Sequence, residues 1–386
     1  MSQIFGMKRY FAVQRFTFAA MGIDPTSEER IIINPVLAIL PFFASITLLV
    51  SIITYTIQHI SNVDEATDAM SPGCQVIMST WKFAILLYKR KELVRIVRKI
   101  MAWNLKATAK ESVIIVNENK IDIFICTYYH LAVATTGSTA IIFPLVLTGL
   151  HYIKTGEFLM EAPIKANYFM DYTKLDKYIF IYAWTSCCIY CVIYASCAID
   201  TIFFWFIRNI CAQFQILHLR FREAAEENNG KASKYSIQRC IHNHREALEL
   251  AQEFNNVFGP IIFMKFAISC IQLCCLAFQC SRDGLTTDAA FHALFIMSVG
   301  TQLLLYCHGG QRMRDESLLI TTAIFTAFKW QKLSTGLKKI LLMPMMRAQK
   351  PCHLSGVFFD VDLSLYVWVL RTAGSYITML WTLDAN

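Results

Sequence analysis

The final apolar stretch of the chain carries polar side chains on one helical face. This polar stripe consists of Ser364, Arg371, Ser375, Thr378 and Thr382, which follow one another at spacings of seven, four, three and four residues. A spanning helix that contacted only lipid would have no use for such a stripe. Two interpretations remain open: the hydroxyls hydrogen-bond to a neighbouring helix, or the stripe lines a water-filled path.

The element that carries this stripe is long enough to cross a bilayer. Residues 363–383 form one apolar run, and about 20 residues of α-helix span the hydrocarbon core. The whole chain has 386 residues, of which 55% are hydrophobic and 17% are charged. A soluble domain is normally about 25% charged. Because the apolar residues also come in long blocks, the sequence indicates a polytopic membrane protein.

Seven blocks are predicted to span the membrane: 31–60, 71–88, 121–152, 178–210, 260–280, 290–308 and 363–383. We expect the sixth block to end at Gly309 and Gly310. The predicted fold is an all-α membrane protein with a single seven-helix domain. It is divided into an interfacial N-terminal segment (1–30), six helices (31–310), a cytoplasmic segment (311–355) and a last helix (356–386).

The distribution of charge predicts the orientation. Residues 89–120 hold nine basic and three acidic side chains, and residues 311–355 hold eight and two. The loops after the first and fifth spans contain one base, Arg282. The positive-inside rule then predicts a cytoplasmic N-terminus and an extracellular C-terminus, the reverse of G-protein-coupled receptors. Topology also explains the formal charge of +8, so we do not expect a nucleic-acid partner.

Residues for catalysis or metal binding are not arranged as those functions require. Cys240, His242 and His244 are two residues apart on a predicted helix and do not converge on one face. No phosphate loop, nucleophile elbow or zinc-protease motif is present in the sequence. The spans lack the repeated acidic residues expected of ion-coupled transporters, with Asp200 as an exception in the fourth span. We therefore do not predict an enzyme.

The last third of the chain resembles the insect odorant receptors. Residues 300–317 (GTQLLLYCHGGQRMRDES) are similar to the family's Tyr-Cys, Gly and Glu-Ser pattern. Residues 338–351 (KKILLMPMMRAQKP) resemble its Lys-Lys…Arg-Ala-Gln-Lys-Pro signature, and VLRTAGSYITMLWTL resembles its closing helix. Together these motifs cover roughly residues 299–383. The earlier part is similar only in topology, length and loop character.

This resemblance implies an odorant-binding subunit of a heteromeric, ligand-gated, non-selective cation channel in olfactory sensory neurons. The implied partners are the family's shared co-receptor, in a heterotetramer, a small volatile odorant and membrane lipid, with no cofactor. The implied location is the plasma membrane, expected in dendrites. The closing helix would line the pore, with a gate and adjoining polar positions at Met379, Leu383, Thr382, Thr378 and Ser375.

The resemblance also implies a ligand pocket in the outer half of the membrane, among the second to sixth spans. Aromatic walls with a few hydroxyls suit a small, mostly apolar molecule. Ordinary helix packing remains the alternative for each candidate. The candidates are Met78, Trp81, Thr135, Thr139, Phe143, Tyr182, Trp184, Thr185, Cys188, Gln272, Phe291 and Phe295.

Two other receptor classes remain as alternatives. A gustatory receptor of the same superfamily would show Thr-Tyr, five apolar residues and Gln-Phe in its closing helix. Here Ser375-Tyr376 is followed by ITMLWTL, which disfavours that class. A G-protein-coupled receptor is disfavoured by the charge asymmetry, and an epitope tag at the C-terminus would discriminate between the two orientations.

Overall fold

The computed structural model describes residues 10–27, 31–158, 160–170, 174–230, 233–282 and 287–384. Helices account for nearly all of this part of the chain, which confirms the all-α prediction. In order, they are α1 (Ala12–Ala20), α2 (Pro35–Gln58), α3 (Val63–Tyr88), α4 (Arg90–Leu105), α5 (Ala109–Thr155), α6 (Leu175–Gly230), α7 (Lys234–Arg282), α8 (Thr287–Ala327), α9 (Thr335–Ala348) and α10 (Leu363–Asp384).

All seven predicted spans fall on helices. Among the described residues, five helices are long and apolar enough to cross a membrane, namely α2, α5, α6, α7 and α8. The other two predicted spans lie on α3 and α10. The apolar run of α3 is interrupted by Lys82, which is completely buried inside the bundle, so its charge does not face lipid.

Local sequence sets where the helices begin and end. The Asn34 side chain accepts a hydrogen bond of 3.0 Å from the Val36 amide, ahead of a helix that begins at Pro35. Thr108 and Glu111 form a reciprocal capping box at the start of α5. That helix ends at Gly156, whose φ of +75° is the left-handed conformation that glycine adopts without strain.

The helices extend well beyond the predicted spans at one end of the bundle. We call this the lower end, where Glu118, Arg208 and Arg312 meet, and the opposite end, where Asp64 and Arg282 meet, the upper end. α5, α6, α7 and α8 have 47, 56, 49 and 41 residues, whereas about 20 cross a bilayer. The basic segment after the second span is also partly helical, as α4.

Gly309 and Gly310 do not end the helix of the sixth predicted span, because α8 continues to Ala327. The glycines instead allow close packing. A Cβ atom on Gly310 would lie 2.0 Å from the Val361 carbonyl oxygen, and one on Gly309 would lie 3.3 Å from Ile207. This pair of glycines inside α8 therefore marks the place where other segments of the chain pack closely against the helix.

The core is centred on α6. Every residue from Ala195 to Phe214 is buried. The Phe203 ring stacks on Tyr306 of α8 at a centroid distance of 4.1 Å and packs against Phe258 of α7 at 5.4 Å. These contacts fix α6 between its neighbours, as aromatic pairs do in close-packed interiors.

The N-terminal helix is part of this packing. The Phe11 ring packs edge-on against Trp205 of α6, with centroids 4.8 Å apart. The buried Gln14 side chain donates to the Asp122 carboxylate at 3.0 Å and to the Thr201 carbonyl at 3.2 Å. α1 therefore contributes both polar and apolar contacts to the bundle, rather than an apolar face alone.

Residues 351–362 tie the start of α10 to the two preceding helices. The Cys352 amide donates to the Ser317 hydroxyl of α8 at 2.9 Å. The Ser355 amide donates to the Asn255 side chain of α7 at 2.8 Å. Arg314 of α8 lies 3.6 Å from the carboxylate of Asp362. These contacts join both α7 and α8 to the base of α10.

Candidate functional site

A cavity of about 840 Å³ opens at the upper end of the bundle. Side chains of α2, α3, α5, α6, α7 and α8, together with residues 160–168, form its wall. Apolar side chains form somewhat more than half of the wall, and pockets for small organic ligands combine such a surface with polar groups. Its apolar members include Leu48, Val76, Val133, Phe143, Leu147, Ile189, Ile193, Leu276, Phe291, Phe295 and Val299.

Ion pairs surround the mouth of this cavity. Lys165 lies 2.8 Å from Asp68, and His292 lies 3.4 Å from the same carboxylate. Arg282 lies 3.0 Å from Asp64. These contacts hold residues 160–168 over α3 and join the upper ends of α7 and α8 to it. The mouth is therefore polar and fixed by paired charges, while the interior is apolar.

A buried carboxylate network lies beneath the floor of the cavity. Lys82 of α3 donates to the Asp200 carboxylate at 2.7 and 2.8 Å and to Ser196 at 3.1 Å. The Tyr129 hydroxyl donates to Asp200 at 2.5 Å and the Tyr306 hydroxyl at 2.6 Å. Asp200 thus gathers donors from three other helices, α3, α5 and α8.

Gln302 completes this network and connects it to a fifth helix. Its side-chain amide donates to the Tyr129 hydroxyl at 2.6 Å and to Asp200. Its side-chain oxygen accepts from the buried ammonium group of Lys265 on α7. Tyr129 and Gln302 are also the lowest lining positions of the cavity on α5 and α8. The floor of the cavity is therefore one surface of the buried network.

Sequence reasoning missed most of this network. Asp200 stood out as an acid in an apolar block, but Lys82, which bonds to it, and Lys265, which bonds to Gln302, were not singled out. The available signal was a single lysine inside each of two predicted spans, since an intramembrane charge is normally paired. What the sequence cannot provide is the register that brings these residues of different helices together.

Three of the predicted ligand-binding residues line the cavity: Phe143, Phe291 and Phe295. They come from α5 and α8. The structure therefore brings together the aromatic candidates of the third and sixth spans.

The other nine candidates lie elsewhere. Met78, Thr185, Cys188 and Gln272 are buried away from the cavity lining, and Gln272 donates to the Ser71 carbonyl at 3.2 Å. Tyr182 is bonded through its hydroxyl to the Ile141 carbonyl. The remaining four are Trp81, whose indole N–H donates to the Pro260 carbonyl, Trp184, whose ring contacts Phe43, and the outward-facing Thr135 and Thr139.

The described part of the polar stripe on α10 faces away from the bundle. Ser364, Arg371, Ser375 and Thr378 are exposed. The Ser375 hydroxyl donates to the Arg371 carbonyl at 3.2 Å, and the Thr378 hydroxyl donates to the Ser375 carbonyl at 2.7 Å. α10 extends through the predicted gate, but the side chains of Met379, Thr382 and Leu383 lie outside the described residues.

Comparison with known proteins relates this architecture to one group. The sequence model of the 7tm odorant receptor family matches residues 62–374. Odorant receptor 45a of Drosophila melanogaster is 32% identical over 377 residues, which cover 97% of this chain and 99% of the relative. Odorant receptor 47a of the same species is 28% identical over 385 residues, with 97% and 99% covered.

The fold is also similar to solved structures. The insect olfactory receptor OR5 from Machilis hrabei, in complex with eugenol, superposes with a TM-score of 0.79 at 15% identity. That match covers 98% of this chain and 97% of the other. The structure of the same receptor without a named ligand gives a TM-score of 0.76 at 14% identity, with 97% of each chain covered. These likenesses agree with the sequence matches, so the chain belongs to the insect odorant receptor family and is a membrane receptor rather than an enzyme.

Proposed function

We propose that this odorant receptor is the odorant-binding subunit of a heteromeric, ligand-gated, non-selective cation channel. Its partner is the shared odorant co-receptor, and its place is the dendritic plasma membrane of olfactory sensory neurons. The observation that carries the proposal is the cavity of about 840 Å³, which is walled by six helices of a fold shared with an olfactory receptor. The ligand is a small volatile molecule.

The cavity has the properties that such a ligand needs. Apolar side chains form somewhat more than half of its wall, and polar side chains lie at the mouth and the floor. Burial of an apolar molecule supplies affinity, and a few polar groups fix its orientation. The eugenol complex of the structurally similar receptor supports a small organic ligand here.

The exposed stripe on α10 supports its role as the pore helix. Three hydroxyls and the Arg371 side chain face away from the chain's own bundle. A polar face left uncovered in this way suits either a water-filled path or contact with another subunit. In the proposed heterotetramer α10 lines the central pore, and Met379 and Leu383 form the apolar gate near its end.

The structure offers a direct link between the cavity and this helix. α7 and α8 both contribute to the cavity wall, and both hold the segment that precedes α10, through Asn255, Ser317 and Arg314. A ligand that favours one arrangement of α7 and α8 therefore shifts the base of α10 as well.

The orientation belongs to the same proposal. The long lower extensions of α5 to α8, together with α4 and α9, carry the basic segments of the chain. The positive-inside rule places this lower end in the cytoplasm and the cavity mouth on the extracellular side. An odorant would then enter the cavity from outside the cell.

The test is whole-cell current in cells that express this chain with and without an insect odorant co-receptor, against a broad panel of volatiles. We expect an odour-evoked cation current only in the co-expressing cells, and we expect it to persist when G-protein signalling is blocked. A current that disappears with that block would contradict the channel mechanism.

A further inference from the structure

Gly137 of α5 packs against α6 at the side of the cavity. It belongs to a run of small residues, 134–140, and small residues let neighbouring membrane helices approach closely. A Cβ atom on Gly137 would lie 2.0 Å from the Cδ1 atom of Ile193, 3.2 Å from its Cγ1 atom and 3.7 Å from the Cγ2 atom of Ile189. The end of the Ile193 side chain therefore fills the notch that a side chain at Gly137 would occupy.

This contact lies at mid-depth in the cavity. Gly137, Ile189 and Ile193 all line the cavity, and both isoleucines are buried. On α5, Phe143 lies about two turns above Gly137, and Tyr129, at the floor, lies about two turns below it. The atoms of the contact stand between the mouth and the floor, so their positions set the width that is available to a ligand.

Hydrogen bonds hold α5 and α6 together above and below this contact. Above it, the Tyr182 hydroxyl donates to the Ile141 carbonyl. Below it, the Tyr129 hydroxyl donates to the Asp200 carboxylate at 2.5 Å. These bonds fix the separation of the two helices. Because Cδ1 is the flexible end of a side chain, a methyl group added to the glycine should displace that atom of Ile193 rather than separate the helices.

The displaced atom would move into the cavity. Protein interiors are close-packed, and the open space that adjoins Ile193 is the cavity itself. Rotation about one side-chain bond moves the Cδ1 atom alone. Gly137→Ala should therefore narrow the cavity by about one methyl group. Ile193→Val removes the Cδ1 atom, so it should empty the notch and widen the cavity by the same amount.

We infer that the contact between Gly137 and Ile193 sets the largest width of ligand that the cavity accepts. This inference rests on the proposed function. Apolar side chains select a ligand by fit, and one methylene group that does not fit changes the discrimination by about 10–200-fold. The contact is therefore a determinant of odorant specificity. A side chain at position 137 excludes ligands with an added methyl branch, and a shorter side chain at position 193 admits them.

The experiment measures odour-evoked current, with the co-receptor present, for pairs of volatiles that differ by one methyl branch. The pairs are butyl acetate with 3-methylbutyl acetate, hexan-1-ol with 3-methylhexan-1-ol, and benzyl alcohol with 4-methylbenzyl alcohol. The strongest agonist of the broad panel is compared with its methyl-branched homologue in the same way. The ratio of the half-maximal concentrations, branched over unbranched, measures the room for one added methyl group.

The two single variants should change this ratio in opposite directions. Gly137→Ala should raise the ratio about tenfold, and Ile193→Val should lower it, in the pairs to which the wild type responds. The double variant should restore the wild-type ratio. Its alanine methyl group takes the place of the Cδ1 atom and lies 3.2 Å from the Cγ1 position, which a small shift relieves. Restoration by a second substitution identifies a shared contact. If Gly137→Ala alone does not reach the cell surface, Ile193→Val and the double variant still test the inference.

Gly149→Ala and Ile199→Val are the matched controls. Among the described residues, no atom of another segment lies within 4 Å of a Cβ atom on Gly149, which is on α5 outside the cavity lining. Ile199 is fully buried on α6, also outside that lining. Both variants should keep the wild-type ratio.

Two results would overturn the inference while leaving the proposed function intact. One is an unchanged ratio in both Gly137→Ala and Ile193→Val at equal surface expression. The other is a double variant whose ratio is no closer to that of the wild type than the ratios of the single variants. A wild type that stays silent to these compounds and to the broad panel, with both chains at the surface, would contradict the proposed function instead.

Discussion

The ammonium group of Lys82 lies 2.7 Å from the carboxylate of Asp200, and neither side chain is exposed to any degree. The pair joins α3 to α6 directly beneath the cavity floor. Two charges in an apolar interior are tolerated only when their remaining hydrogen-bonding capacity is used. Asp200 meets this condition through Tyr129, Tyr306 and Gln302, so the network holds five helices in one register.

Removing one member of this pair should be costly. Lys82→Met leaves the buried Asp200 carboxylate without its principal counter-charge, and we expect a loss of about 3–5 kcal/mol. The double variant Lys82→Met, Asp200→Asn removes both charges and should recover part of that loss. The measurement is the midpoint temperature of thermal unfolding of the detergent-solubilised receptor, monitored by fluorescence-detected size-exclusion chromatography.

The control for this comparison is an exposed pair. Lys110 lies 3.0 Å from Glu223, with side chains 73% and 43% exposed. Lys110→Met should leave the midpoint unchanged, since exposed ion pairs contribute little. A double variant of the buried pair that is less stable than Lys82→Met alone would contradict the account.

Substitution of Gly310 should destabilise the receptor. Its Cβ position is 2.0 Å from the Val361 carbonyl oxygen, so Gly310→Ala must push the segment before α10 away from α8. We expect a loss of about 1–3 kcal/mol, as for other overpacked sites, together with altered gating. Gly336→Ala is the matched control, because nothing lies within 4 Å of that position on α9. Equal midpoints for the two variants would show that the close approach is unimportant.

His244 should make the lower end sensitive to acid. It lies on α7 before the predicted span, it is 2% exposed, and its Nε2 atom has no partner among the described residues. Burial, with a smaller contribution from the Arg347 charge, lowers the pKa of His244 from 6.5 to about 4. The unfolded chain therefore binds a proton at a higher pH than the folded chain does. Stability should be constant above pH 6.5 and fall by about 3 kcal/mol as the pH drops towards 4.

The measurement is the midpoint temperature of thermal unfolding at a series of pH values from 7.5 to 5. His244→Asn should reduce this dependence, whereas His242→Asn, at a ring that is 70% exposed, should preserve it. Cys240 and His244 are buried while the His242 ring is exposed, so the three side chains do not point to one site. A receptor whose midpoint does not change over this range would contradict the assignment of a buried neutral imidazole.

The gate residues lead to a prediction about resting current. If Met379 and Leu383 close the pore by excluding water, Met379→Ala or Leu383→Ala should raise the basal current or alter ion permeability. Leu370→Ala, elsewhere on α10, should not. Recordings without odorant, normalised to surface expression, provide the measurement. Wild-type behaviour of both gate variants would remove these residues from the gate.

Features that depend on a single segment of the chain could be predicted from the sequence, whereas features that depend on contacts between distant segments could not. Apolar blocks predicted the five described helices that are long and apolar enough to cross a membrane, because hydropathy and length are properties of one segment. Helix ends were less predictable. A Gly-Gly pair is typical of a helix end. Here, however, Gly310 packs closely against Val361, more than 50 residues away in the chain, so the pair is a packing site inside α8.

The cavity was predictable only in part. Phe143, Phe291 and Phe295 follow from aromatic residues in the upper halves of two spans. Gln302 could not be identified in this way, because a glutamine in a helix gives no indication of what its side chain faces. Its role depends on the rotation of each helix in the bundle, which tertiary packing decides.

The central claim is that the cavity is where the odorant acts, and a cavity-filling substitution tests it most directly. Ala140 lines the cavity on α5, whereas Ala132, two turns earlier on the same helix, is exposed and lies outside the lining. The measurement is the odour-evoked current of Ala140→Phe and Ala132→Phe, each with the co-receptor and at matched surface expression. The account predicts that Ala140→Phe loses the response or shifts it towards smaller volatiles, while Ala132→Phe responds as the wild type does. An unchanged response in Ala140→Phe would contradict the claim.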